Sequence, residues 1–280
     1  MPELPEVETV RRLLEPCLRG RLIEKVTVLR QVIAHPGAEE FIRRVTGRRF
    51  DIMKRRGKFL GFLLDDGQKM VLHLRMTGCL LIEPAGVPAE KHTHVVFSLD
   101  DGRELRFSDM RRFGRFWLFA PGEADSSGAE KLGPEPSDPA LTGDYLRAKC
   151  GKSSRAVKEC LLDQSVVAGI GNIYSDEILF AARLMPSCPA SRLTRRSWQQ
   201  LARLIGERIS YFTEKNKISL EDYLRSKGGD YRNTPYLQVY GHAGQPCPVC
   251  GTQLRRTVIG GRSSVYCPHC QKLPRTKKTQ

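Results

Sequence analysis

The chain has no continuous apolar stretch approaching the roughly 18 residues that a bilayer-spanning helix needs. Its start, MPELPEVE, lacks both the basic leader and the apolar core of a targeting segment. These absences argue against a membrane partner and point to the cytoplasm. No internal repeat or extended low-complexity tract occurs, so a repeat array is excluded. An even set of cysteines is also missing: there are nine, and a reducing compartment disfavours their pairing. Cys17, Cys79, Cys150, Cys160 and Cys188 read as ordinary small core or surface residues. Acidic residues are absent altogether beyond Asp230.

What is present is positive charge. Lys plus Arg number 46 against 31 Asp plus Glu, for a formal net charge of +15. Such an excess suits a polyanionic partner, because each neutralised phosphate releases a condensed counterion, although a generally solvated basic surface would look the same in composition. Its distribution favours a binding track. The segment FIRRVTGRRFDIMKRRGKFL, residues 41–60, holds eight basic residues and one acid. At 280 residues the chain accommodates two domains with separate cores and a small third module.

Local pattern divides it. A helix is predicted from Pro5 to Arg19, with Val7, Val10, Leu14 and Leu18 on one face and Gly20 as its stop. Short runs rich in branched and aromatic residues follow (KFLGFLL, MVLHLRM, HVVFSL, RELRF), with hairpin turns at Asp65-Asp66-Gly67 and Asp100-Asp101-Gly102. The first half therefore reads as a β-sandwich. Between Ala120 and Asp144 the composition turns to Pro, Gly, Ser and Asp, as in a linker. Helical patterns then run near Arg155–Gln164, Ser175–Leu184 and Arg195–Lys215, the last bearing Trp198, Leu201, Leu204, Ile205 and Phe212.

Two knuckles, Cys247-Pro-Val-Cys250 and Cys267-Pro-His-Cys270, have sixteen residues between them. Four thiolates at this spacing can surround one Zn2+ tetrahedrally, with Gly251, Gly260 and Gly261 at the tight turns; His269 is a bystander to a complete shell. So small a ribbon draws folding energy from its metal. Arg255, Arg256 and Arg262, between the knuckles, would project to grip phosphates, although a ribbon that only mediates protein contacts fits the motif too. Upstream, VVAGIGNIYSDEI sets Gly169, Gly171 and Asn172 between helical stretches. With Lys152, Arg155 and Lys158 nearby, this reads as a phosphate clamp rather than a plain connector.

At the amino terminus, removal of Met1 would expose Pro2 as a secondary amine whose α-amino-type pKa near 8 leaves an appreciable nucleophilic fraction at neutral pH. Glu3 follows directly and could donate a proton. Spacing alone equally allows Pro2 and Pro5 simply to open a helix.

PELPEVETVRR at the start, HLRMTG at 73–78, EKHTHV at 90–95, SDMRRFG at 108–114, LGPEP at 132–136, GIGNIYSDE at 169–177 and the closing ribbon resemble the formamidopyrimidine-DNA glycosylase family, in family order and over nearly the whole chain. The resemblance implies an α+β multidomain fold. It comprises an N-terminal catalytic β-sandwich domain with an N-terminal helix (1–135), a linker (136–150), a helix-two-turn-helix DNA-binding domain (151–242), a zinc ribbon (243–272) and a basic tail (273–280). It further implies a monomeric enzyme, associated with the nucleoid through damaged double-stranded DNA. Such an enzyme excises oxidised purines such as 8-oxoguanine and formamidopyrimidines, then cuts the strand by β- and δ-elimination.

On this resemblance Pro2 forms the Schiff base, Glu3 is the proton donor, Lys58 serves β-elimination and Arg262 δ-elimination. Met76, Arg111 and Phe113 match the side chains that fill the void left by an extruded base; His92, Lys152 and Asn172 match or neighbour contacts to the DNA backbone. Residues 225–241 fall where the family carries a mobile loop over the lesion. An endonuclease VIII-like enzyme for oxidised pyrimidines and a non-catalytic DNA-binding relative are the alternatives.

Overall fold

The structure is a computed structural model that describes residues 2–229, 231 and 233–273. It divides into two compact units. One takes the chain up to Glu130 together with a returning segment that begins at Asn216; the other takes Lys131–Lys215 and the chain from Asn233. The basic tail falls outside the described residues except for Leu273.

The first unit opens with α1 (Leu4–Leu18). Its buried face carries Val7, Val10, Leu14 and Leu18, at the spacing the sequence predicts. Glu6 caps its start: the Glu3 N–H donates to Glu6 Oε2 at 2.8 Å. Gly20, at φ +77°, turns the chain out of the helix.

Two sheets follow. The four-stranded sheet runs β1 (Ile23–Val28), β7 (Thr93–Leu99), β8 (Arg103–Asp109), β6 (Gly78–Pro84). The five-stranded sheet runs β2 (Ile33–His35), β9 (Arg115–Phe119), β5 (Lys69–His73), β4 (Phe59–Leu64), β3 (Phe50–Arg56). Phe97 of the first sheet meets Phe116 and Phe50 of the second at 6.0 and 6.3 Å between ring centroids, so the sheets face one another across an aromatic core. Phe41, from the short helix α2 (Ala38–Val45), plugs one end of that core against Phe97 and Phe116. Both predicted hairpin turns are present, with Gly67 and Gly102 at positive φ.

The second unit is helical: α3 (Gly143–Cys150), α4 (Val157–Leu162), α5 (Asn172–Ala181) and α6 (Arg195–Lys215). Trp198, Leu201, Leu204, Ile205 and Phe212 of α6 are all buried, as expected. Residues 143–150, assigned above to the linker, form α3 instead. Thr142 caps it by accepting the Tyr145 N–H at 3.1 Å, and Gly143 lies so close to α6 that a Cβ there would stand 2.5 Å from the Gln199 Cα. The helical domain is also not continuous to 242. Residues 216–229 pack with the first unit, where α7 (Leu220–Arg225) buries Tyr223, whose hydroxyl donates to the Leu80 carbonyl at 3.0 Å, and Asn216 donates to Thr9 Oγ1 at 2.9 Å.

The chain ends in a two-stranded hairpin, β10 (Arg255–Ile259) and β11 (Arg262–Tyr266), resting on a small core of Phe180, Val239, Leu254 and Val265. No helix among the described residues is long and apolar enough to cross a membrane.

Candidate active site and zinc ribbon

Pro2 and Glu3 are both buried where α1 begins, and Met1 lies outside the described residues. Lys58 is buried in the turn between β3 and β4, a turn that Gly57 makes at φ +54°. An ion pair joins these two places. Arg55 of β3 donates to Glu8 of α1 at 3.1 Å and to the Gly57 carbonyl at 3.1 Å, so the strand leading to Lys58 is tied to the helix that follows Glu3. Burial opposes ionisation of Glu8, but hydrogen bonds from Arg11 and Arg12 and the charges of Arg11 and Arg55 outweigh it and hold the carboxyl at about 2. Motif reading overlooked this pair, because nothing in ETVRR or MKRRGK says which arginine meets which glutamate.

His73 stands near Lys58. Burial first, then the charges of Arg75 and Lys58, push its imidazole down to about 3. It is therefore neutral, and its Nδ1 accepts the Arg75 N–H at 2.9 Å; it is a structural acceptor and not a proton carrier.

Met76, Arg111 and Phe113, which sequence separation would scatter, are brought together in the first unit. The Arg111 guanidinium lies 4.7 Å from the Phe113 ring centroid and donates to Met76 Sδ at 2.8 Å. Yet Met76 and Phe113 remain 43% and 47% exposed, large apolar groups facing solvent. Asp109, at 1% exposure, organises the loop beneath them. Its carboxylate accepts the Arg111 N–H at 3.1 Å, the Gly114 N–H at 2.8 Å and the Thr77 hydroxyl. Arg75 and Arg112 flank the cluster at φ +59° and +56°, an uncommon conformation for residues with side chains. His92 is exposed beside the same scaffold, its carbonyl accepting the Asp109 N–H at 2.9 Å.

In the second unit Asn172 opens α5, and its buried Oδ1 has no hydrogen-bond partner among the described residues. Lys152 and Arg155 are exposed, Arg155 reaching Asp163 at 3.2 Å. Lys158 is not a phosphate ligand. It is fully buried, donating to Asp176 Oδ1 at 2.7 Å and to the Ser263 carbonyl at 2.9 Å. Asp176 also accepts the Ser264 hydroxyl at 2.6 Å and the Val265 N–H at 2.9 Å, so the ion pair fastens the hairpin to α4 and α5. The hairpin turns at Gly260 and Gly261, both at positive φ, and leaves Arg255, Arg256 and Arg262 exposed.

The Sγ atoms of Cys247, Cys250, Cys267 and Cys270 all lie within 4.8 Å of one another. A tetrahedral zinc with bonds of about 2.3 Å sets its sulfurs ~3.8 Å apart. Cys247 to Cys270 measures 3.9 Å and Cys250 to Cys267 3.5 Å, so the donor set fits that ion, and His269 is exposed outside it.

The family model for the formamidopyrimidine-DNA glycosylase N-terminal domain matches residues 1–116, and that for the same family's H2TH domain matches residues 132–222. The chain belongs to the formamidopyrimidine-DNA glycosylase family. A third model, the zinc finger found in FPG and IleRS, matches residues 244–273, so the ribbon holds one structural zinc ion. Among relatives, the formamidopyrimidine-DNA glycosylase of Moorella thermoacetica is 47% identical over 261 residues, covering 91% of this chain and 94% of its own. That of Desulforamulus reducens is 43% identical over 277 residues, covering 97% and 99%. Among solved structures, the Lactococcus lactis FPG in complex with DNA containing an oxidised pyrimidine superposes with a TM-score of 0.89 at 33% identity, covering 97% of this chain and 100% of that one. MutM in complex with DNA containing carbocyclic 8-oxo-G gives 0.88 at 33% identity, with the same coverage.

Proposed function

We propose that this member of the family is a bifunctional base-excision-repair glycosylase and abasic-site lyase that removes 8-oxoguanine and formamidopyrimidines from duplex DNA. The observation that carries it is the exposed Met76, Arg111 and Phe113 cluster, held by a buried aspartate in the unit that also contains Pro2. Apolar wedges and a guanidinium on solvent make sense as groups that enter a duplex: they replace lost stacking and pair with the orphaned base while the lesion is turned out.

In this reading the Pro2 nitrogen attacks C1′ of the extruded nucleotide. The glycosidic bond breaks as the base leaves with a proton, giving a C1′ aminal; Glu3 then protonates O4′, the C1′–O4′ bond breaks and the ring-opened sugar is left as an iminium on Pro2. The iminium draws electrons from the sugar, so the C2′ proton is lost and the 3′ phosphate departs, assisted by Lys58. A second proton loss then expels the 5′ phosphate near Arg262, whose high pKa suits it to binding and charge stabilisation rather than to acid catalysis. His92, Lys152 and Asn172 hold backbone phosphates, and the zinc ribbon serves as the rigid support of Arg262. We assign catalysis to residues 1–135, DNA gripping to the helix-two-turn-helix region and the ribbon, and working location to the nucleoid, as a monomer.

A second reading, activity on oxidised pyrimidines, is favoured by the Lactococcus lactis complex. Single-turnover cleavage of matched duplexes separates them. The account expects faster release of 8-oxoguanine than of an oxidised pyrimidine, with phosphate at both ends of the gap. Faster pyrimidine release overturns the substrate assignment. A conversion of Arg262→Gln products from doubly to singly eliminated ends supports its role, and unchanged ends remove it.

A further inference from the structure

The five-stranded sheet carries a cavity of about 370 Å3 on the face turned away from the aromatic core, and no catalytic step above uses it. Alternation along the strands builds it. Leu60, Phe62, Met70 and Leu72 fill the core, so Phe59, Gly61 and Val71, which alternate with them, form the cavity floor. Lys54 and Arg56 of β3 line one side of that floor and Lys69 of β5 the other; Ala129 and Glu130 line it as well.

Gly61 makes the opening. It pairs in regular register with Lys54 on one side and Val71 on the other, and a Cβ placed there would meet nothing closer than the Lys54 carbonyl oxygen at 3.9 Å. Its φ is not positive, so neither backbone conformation nor crowding calls for a glycine. Glycine weakens a strand interior, and what the missing side chain does here is leave room.

The charges around that room are unevenly committed. Arg55 turns to Glu8, and Lys69 is held by Asp125 at 2.7 Å. Lys54 is exposed and Arg56 half-buried. A flat apolar floor suits a planar ring, two cations on one strand suit a phosphate, and the Glu130 carboxylate offers an acceptor to ring or exocyclic N–H groups. The volume lies within the range of small-ligand sites, roughly 300–1,000 Å3.

The geometry points to a mononucleotide site on this sheet: the base rests on Phe59, Gly61 and Val71, and its phosphate is held by Lys54 and Arg56. None of these residues takes part in the chemistry proposed for Pro2, so the site stands independently of the excision reading. The same chemistry arrives as a free nucleotide or as the phosphorylated end of a strand.

Calorimetric titration of dGMP into the full zinc-loaded chain tests it, with Gly61→Leu as the plugged variant. Leucine there extends into open space, so nicking of an abasic duplex is expected to stay within about twofold while dGMP binding weakens by about tenfold or more. Deoxyguanosine, which lacks the phosphate, is expected to bind about tenfold more weakly than dGMP, and Lys54→Glu is expected to lose as much. Undiminished dGMP binding by a folded Gly61→Leu, or by Lys54→Glu should the first variant melt early, places the nucleotide elsewhere on this basic chain and overturns the inference. No binding at all overturns it too, as does tighter binding of octanoate, an apolar anion without a ring. Displacement of dGMP by a 5′-phosphorylated single strand, but not by its unphosphorylated form, identifies a strand end as the source; persistence of dGMP against both identifies the free nucleotide, and each result supports the site.

Discussion

Glu8 and Arg55 set how the first unit answers to acid. The Glu8 carboxyl titrates at about 2 in the folded chain against an ordinary value of 4.5. Because the folded value is the lower one, the pairing stabilises the fold fully above about 4.5, and this contribution fades as pH falls toward 2. Glu8→Gln is expected to melt below the unaltered chain at neutral pH, with the difference closing as pH falls through that window. A difference that does not change with pH in thermal melts contradicts the assignment. Single residues also show where sequence reading stops. The roles expected of Pro2, Glu3 and Lys58 rest on their motif positions, whereas the phosphate contact expected of Lys158 does not survive its burial. A lysine and its buried partner Asp176, eighteen positions on, carry no mark in the sequence that separates them from a solvated pair.

At the scale of elements, periodicity served well where one face is apolar. It recovered α1 to within a residue and α6 over its full length, and alternation found the hairpins of the sandwich. It missed α3, whose polar GDYLRAKC offers few core residues and whose position depends on the bare face of Gly143 against α6. It also misplaced residues 216–229, because the bond of Tyr223 to Leu80 spans 143 positions and leaves no local trace. The ribbon was legible throughout, since metal spacing is itself a local signal. Its small core means that zinc, not apolar burial, supports it. Cys250→Ser is accordingly expected to release zinc and weaken DNA binding, with the first unit still folded. Retained zinc in metal analysis, together with unchanged affinity in a binding titration, would refute that role.

Across the whole molecule the formal charge is +15, but its basic groups are not equally available. Within residues 41–60, Arg43, Arg48, Arg49 and Arg55 pair with Glu40, Asp66, Asp100 and Glu8 and Lys58 is buried, whereas Arg255, Arg256 and Arg262 are exposed in the acid-free chain beyond Asp230. The proposed mechanism places phosphate contacts in both units and the reacting amine in the first alone. Trapping the reaction with borohydride on lesion-containing duplex, followed by peptide mass analysis of the adduct, tests that division most directly. The account predicts a single covalent DNA adduct on the peptide beginning at Pro2, formed only by chains that have lost Met1. An adduct located on a lysine such as Lys58, or full-rate excision and nicking by protein that keeps Met1, would contradict it.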